Sequence, residues 1–253
     1  MKNALTKLAM LAALSAPLAA SAFVLGPTTP GKWGPAVFGT GATVTYSFMS
    51  DGVSCAAEFA GCTNTSLDTL FNGLGISDAS WSGAVTSAFA AWSSVANLTF
   101  VLIADDGAAF NAATTSGDIR LGAHFFDGVG GTLAHGFFPP VNGATAAGDI
   151  HFDKDEAWKV GFGGAGFDIF QVMAHELGHA LGLDHTGVAG SLMNPFYTEA
   201  FSGPQADDID GMRFIYGRAD VTPPGDVPEP MSLALVGLAL AGLGLSRRRM
   251  AWR

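Results

Sequence analysis

The stretch "AHELGHALGLDH", residues 174–185, places three of the chain's six histidines beside a glutamate. Residues four apart on a helix share a face, so His175 and His179 can point at one ion with Glu176 next to them. Gly182 can end that helix in a left-handed turn, which lets His185 swing back as a third ligand. Three imidazoles leave a fourth tetrahedral position open to water, the arrangement of a catalytic rather than a structural zinc. In a chain of this composition the pattern H-E-x-x-H-x-x-G-x-x-H would arise by accident on the order of once in 100,000 sequences.

These residues need a scaffold, and the periodicities supply one. The pattern over 167–181 is helical and carries His175 and His179. "ATVTYSF" (42–48) alternates as a strand does, and "LTFVLI" and "GDIRLGAHF" read as further strands. "SWSGAVTSAFAAWSSV" (80–95) has apolar residues at helical spacing behind Ser80, the expected N-cap. Residues 207–215 predict a shorter helix with acids in its first turn, where the helix dipole favours them. A strand–helix–strand opening, then strands, then helices, predicts an α+β fold. No internal repeat interrupts it.

Length and composition agree. A chain of 253 residues holds one good-sized domain or two small ones, and 49% hydrophobic residues with 34 glycines suit a loop-rich globular body. The formal charge of −10 is unevenly spread. The first 22 residues carry two lysines and no acid, and the stretch from Met231 onward carries four arginines and no acid. Between them, six basic residues face all 22 acidic ones, a net charge of about −16. Such a body repels nucleic acid and anionic membrane, so no nucleic-acid partner is expected, whereas clustered acids suit bound Ca²⁺.

The histidine motif, followed by "SLMNPFY" with Met193, resembles the metzincin clan and its Met-turn. More narrowly the chain is similar to the matrixins from about Phe23 to Gly217. The segments "KWGP…ATVTYSF", "AFAAWSSVANLTF", "FDGVGGTLAHGFFP", "GDIHFDKDEAW" and "DDIDGMRFIYG" echo that family in order. The resemblance implies a zincin/metzincin fold: a twisted mixed β-sheet, two long helices, and a small C-terminal subdomain after the zinc-binding helix. It implies a monomeric zinc-dependent endopeptidase, in which zinc polarises a water and the scissile carbonyl while Glu176 carries the water's proton to the leaving amine. It also implies a substrate lying antiparallel to an edge strand near Leu133 and Ala134, with Pro195 and Tyr197 walling the pocket. A packed strand and loop is the alternative for those four. A non-catalytic matrix- or surface-binding protein that keeps the fold is the rival for the whole, though it would have no chemical need for Glu176.

The remaining histidines, His124, His135 and His151, fall in three segments that matrixins use for a structural zinc. The family's aspartate two residues after the first of these is Phe126 here, so the expectation is a three-ligand zinc or a degenerate site. "DGVGGT" and "DKDE" resemble the family's calcium loop, with Asp127, Asp153 and Glu156 as carboxylates and Gly128, Gly130 and Thr132 as carbonyls. Asp118 and Asp149 match a weaker second calcium position, because "TAA" replaces the glycines before Asp149. Solvated acidic loops are the alternative for both.

The ends read as addresses. "MKNALTKLAMLAALSAPLAASA" has the basic start, apolar middle and small-residue ending of a secretory signal peptide, cleaved before Phe23. Export permits disulfides, so Cys55 and Cys62 are expected to pair within their loop, against two free thiols. Residues 218–230 form a Pro-rich linker. It leads into an apolar run, Met231–Leu245, short for a membrane span, and then Arg247–Arg249. Val227-Pro228-Glu229-Pro230, the run and the arginines resemble a PEP-CTERM tail. That resemblance implies an exosortase partner, transient membrane association, and delivery to the surface or surroundings of a Gram-negative bacterium; a permanent anchor is the alternative. Neither cysteine sits in a latency switch. "FVLGPTTPGKW" resembles a mature matrixin start, whose terminal amine would pair with Asp207 or Asp208.

Overall fold

The computed structural model describes residues 23–140 and 146–219; the expected signal peptide, the sorting tail and all but the first two residues of the linker lie outside them. The elements run Val24–Leu25 (β1), Ala42–Phe48 (β2), Leu67–Gly73 (α1), Asp78–Ser93 (α2), Leu98–Leu102 (β3), Ile119–His124 (β4), Ala134–Gly136 (β5), Ile150–Asp153 (β6), Trp158–Lys159 (β7), Phe167–Asp168 (β8), Ile169–Ala180 (α3), Leu183–Asp184 (β9) and Ala206–Tyr216 (α4).

The main sheet has the order β3-β2-β4-β6-β5. Its first four strands are parallel, and only β5 runs antiparallel, pairing Ala134 with Phe152 and Gly136 with Ile150. The architecture is therefore α+β with a mixed sheet and four described helices. Every residue of β4 is buried, as expected for a central parallel strand covered on both faces.

Helix α2 begins three residues before the expected cap. Ser77, in extended conformation, accepts a hydrogen bond from Ser80 N, so Ser77 and not Ser80 is the N-cap. Its apolar stripe of Trp81, Ala84, Val85, Ala88, Phe89 and Trp92 is buried at the i, i+3, i+4 spacing of an amphipathic helix. Against this stripe lies α3, and Trp92 Nε1 donates to the Ala174 carbonyl at 2.9 Å. Two more bonds hold the far end of α3: Trp33 Nε1 donates to Ala180 O at 2.8 Å, and Tyr216 Oη donates to Leu181 O at 3.0 Å. The expected helix start at Phe167 is corrected to Ile169, because Phe167 and Asp168 pair with β7 and the Asp168 side chain caps the helix at Gln171 N. Among the described residues no helix is long and apolar enough to cross a membrane.

Candidate active site and metal centres

Helix α3 stops at Leu181, and Gly182 adopts φ +110°, where a Cβ would collide with the Gly31 carbonyl. That turn brings His185 back over the helix. His175 Nε2 and His179 Nε2 each lie 3.1 Å from His185 Nε2. His175 Nδ1 donates to Leu192 O at 2.7 Å and His179 Nδ1 to Leu183 O at 2.8 Å. A carbonyl accepts only, so each ring presents its Nε2 lone pair to the common point. Burial, with the neighbouring histidines, lowers His175 to about 4 and His179 to about 3, keeping both imidazoles neutral. Nitrogens bound about 2.0–2.1 Å from one tetrahedral ion stand roughly 3.3 Å apart, so the three rings fit zinc.

Glu176 is almost fully buried beside them. Burial pushes its carboxyl up to about 8, against the pull of a hydrogen bond from the Gly136 backbone. Gly136 has a second use: a Cβ there would meet the Glu176 carbonyl at 2.5 Å, so only glycine lets β5 approach the histidine helix this closely. Met193, 2% exposed, packs against α3 at Gly178. Asp208 fixes its loop by accepting hydrogen bonds from Ser191 Oγ, from Leu192 N at 2.7 Å and from Met193 N at 3.0 Å. Gly178 leaves room for the Met193 sulfur, which a Cβ would strike.

A cleft of about 280 Å³ opens over this site, lined by His175, Glu176 and His185 and by the expected Leu133, Ala134, Pro195 and Tyr197. Tyr197 Oη accepts from Asp168 N at 2.9 Å and donates to Glu199 at 2.7 Å, and Glu199 pairs with Lys159 at 2.6 Å. This fixes one wall of the cleft.

His124, His135 and His151 also converge, on a residue that the sequence reading missed. Glu58, from the loop between Cys55 and Cys62, joins them in one group whose ligand atoms all lie within 4.8 Å. The structure joins those cysteines in a disulfide. A signal was available: Glu58 is the acid between the chain's only two cysteines, and Phe126 had vacated an acid's place.

The calcium residues are less gathered. Asp127 accepts from Thr132 N and from Thr132 Oγ1, the latter at 2.9 Å, and Glu156 Oε1 accepts from Gly130 N at 2.6 Å. Gly128, with φ +87°, lies in the turn that brings these together. Asp153 Oδ2 and Glu156 Oε2 are buried without a hydrogen-bond partner, which suits a hard cation. Asp118 and Asp149 go separate ways. Asp118 accepts from Thr45 N and Oγ1, both at 2.8 Å. Asp149 is fully buried, accepting from Arg120 N at 3.1 Å. Burial raises the Asp149 carboxyl well above the ordinary range, and the neighbouring Arg120 opposes that rise. None of the five carboxylates Asp127, Asp153, Glu156, Asp118 and Asp149 is in either of the metal-capable groups found among the described residues.

Phe23 packs against α4, its ring 5.6 Å from that of Phe214, and lines a small cavity with Asp207 and Asp208.

A family model described as matrixin matches residues 71–217, and one described as a PEP-CTERM protein-sorting motif matches residues 226–249. The chain is 49% identical to stromelysin-3 of Xenopus laevis over 106 residues, which is 42% of this chain and 21% of that protein. Interstitial collagenase of Bos taurus is 44% identical over 137 residues, 53% of this chain and 28% of its own. Karilysin of Tannerella forsythia is 38% identical over 134 residues, again 53% and 28%. The chain thus spans less than a third of the length of these curated relatives.

Proposed function

The chain belongs to the matrixin family, and from that premise we propose that it is an exported zinc-dependent endopeptidase with the metzincin fold, in which α2 and α3 are the two long helices and the segment after Gly182 is the small C-terminal subdomain. The observation that carries the reading is the convergence of His175, His179 and His185 with Glu176 buried at their side. When bound there, zinc supplies Lewis acidity to an attacking water and to the scissile carbonyl. Everything else falls to the chain's own residues. Glu176, buried beside the three histidines, takes the water's proton and gives it to the leaving amine. Among the described residues the outer edge of β5 has no strand partner, so a peptide can lie antiparallel along Leu133 and Ala134 while Pro195 and Tyr197 bound the side-chain pocket.

The test is cleavage of a mixed-sequence quenched peptide library, run with and without 1,10-phenanthroline and beside Glu176→Ala. Cleavage lost in both controls supports the peptidase. A zinc-loaded, folded protein that cuts nothing points to the non-catalytic binding protein.

Three further readings accompany this one. His124, His135 and His151 hold a second, structural zinc, and Asp127, Asp153 and Glu156 a calcium ion with the carbonyls of Gly128, Gly130 and Thr132. Signal cleavage exposes Phe23, and its amine meets Asp207; Asp208 is already committed to the Met193 loop. N-terminal sequencing that starts elsewhere rejects this pairing. The PEP-CTERM motif directs the protein to exosortase and thence to the cell surface or medium of a Gram-negative bacterium, the tail touching the membrane only in transit. Exported protein that retains its C-terminal arginines would favour the permanent anchor.

A further inference from the structure

Resting on the second-zinc reading above, we propose that Glu58 is the fourth ligand of that zinc, and that the disulfide-closed loop carrying it is a covalent latch on the ion. In the family pattern the acid stands two residues after His124; here it comes from a different part of the chain.

The geometry is that of four ligands around one point. Glu58 Oε2 lies 3.2 Å from His124 Nε2 and 3.0 Å from His151 Nδ1, while Oε1 lies 2.8 Å from His135 Nε2. His151 Nδ1 is 3.2 Å from both His124 Nε2 and His135 Nε2. Ligands of a tetrahedral zinc bound at about 2.0–2.2 Å stand roughly 3.3–3.5 Å from one another, so the group needs almost no movement to close on an ion. His124 Nδ1 lies 3.0 Å from the Phe125 carbonyl, to which it donates, and this turns Nε2 toward Glu58.

The surroundings explain why the acid could move. Phe126, in the vacated position, stacks on His135 with centroids 4.5 Å apart and packs against His124 at 4.4 Å. Phe59, the residue after Glu58, covers His124 at 5.3 Å, and Phe110 closes on His151 at 5.2 Å. An aromatic ring at 126 shields the site but offers no ligand, and the ring of Phe59, next to Glu58, stacks on it with centroids 6.1 Å apart.

The loop is built to hold it there. Its foot is tied to β4 one residue before His124: Thr65 N donates to Ala123 O at 2.7 Å, and Asn64 Oδ1 accepts from Ala123 N at 2.9 Å. Its other stem is tied where Phe110 N donates to Ser54 O at 2.8 Å. Between them the Cys55–Cys62 disulfide closes the turn, and Glu58 N donates to Cys55 O at 2.9 Å. Cys55 is buried in a small apolar cluster with Phe110 and Ala146, apart from the main core. The disulfide therefore organises the wall of the metal site itself.

The experiment counts zinc in the full-length exported protein after dialysis against a chelator of intermediate strength. Wild type is expected to keep two ions per chain, one for each group. Glu58→Gln is expected to lose the second ion roughly tenfold faster or more, and the Cys55→Ser/Cys62→Ser pair likewise. Adding Phe126→Asp to Glu58→Gln restores the acid at the family's position and is expected to recover retention. Wild type holding one ion overturns the second-zinc reading, whereas two ions held equally well by wild type and Glu58→Gln overturn the role of Glu58. If Glu58→Gln does not fold, anomalous scattering at the zinc edge from wild-type crystals decides, since the ion must lie between Glu58 and all three histidines. Peptide cleavage and its loss in Glu176→Ala are scored separately, so the peptidase reading stands or falls alone.

Discussion

Gly178 sits between the two metal-facing histidines of α3, where a glycine costs helix stability of about 1 kcal/mol relative to alanine. Its presence is explained by what lies opposite: a Cβ would strike Met193 Sδ and come within 3.3 Å of the Trp92 ring. Overpacking a core in this way costs about 1–3 kcal/mol. Met193 cannot retreat freely, because Asp208 pins its backbone. The collision therefore outweighs the propensity gain, and Gly178→Ala is expected to lose about 1–2 kcal/mol in urea unfolding and to bind zinc less tightly. Equal stability would mean that the sulfur has room to move. At this scale the motif itself was legible, since helical spacing and a left-handed glycine suffice to derive His175, His179 and His185 from the sequence. Glu58 was not. It meets His124 and His151 across 66 and 93 positions of sequence, and no local period records such a contact.

Helix α4 does its work through its first turn. Asp208 is completely buried, and beyond its three bonds to the 191–193 loop it accepts from Gln205 N at 2.8 Å, completing a capping box. The sequence showed acids at a helix start, for which the dipole is reason enough. It did not show that one of them clamps the loop whose Leu192 carbonyl holds His175. Asp208→Ala would leave the N–H groups of Leu192 and Gln205 and the Ser191 hydroxyl short of an acceptor, each worth about 1–3 kcal/mol if it stays dry, and Met193 N with Ser191 Oγ alone at 3.2 Å. We expect a loss of about 3 kcal/mol or more for alanine and about half of that for Asp208→Asn, which keeps the shape but not the charge. Urea midpoints at saturating zinc measure both, and an alanine variant as stable as wild type would dismiss the clamp. The other elements were legible in proportion to their length. The 16 residues of α2 announced themselves and only their two ends were misplaced, by about a turn or less, whereas the seven of α1 carry too little periodicity to be read.

The molecule as a whole carries a surplus of negative charge, and the loop proposed to bind calcium is where that surplus becomes specific. A body of about −16 is stabilised a little by any salt, through screening of its self-repulsion. Asp153 Oδ2 and Glu156 Oε2 make a different demand, because both are buried beyond the reach of bulk counterions and neither has a hydrogen-bond partner. A cation that enters the loop satisfies both. Ligand linkage then sets the size of the effect: at about 100 times its Kd, calcium adds roughly 2.7 kcal/mol to the folded state. For a body of this size that is roughly 5–10 °C in Tm. Glu156→Gln removes one orphan oxygen's charge and is expected to flatten the calcium response while leaving the response to sodium chloride unchanged. Magnesium, which demands a tighter octahedral shell, is expected to do less than calcium at equal concentration. Melting curves across the three salts separate the cases. A Tm that rises equally with magnesium and calcium, in wild type and Glu156→Gln alike, would show that only the general charge is being screened and that the loop stands on the Asp127–Thr132 and Gly130–Glu156 hydrogen bonds alone.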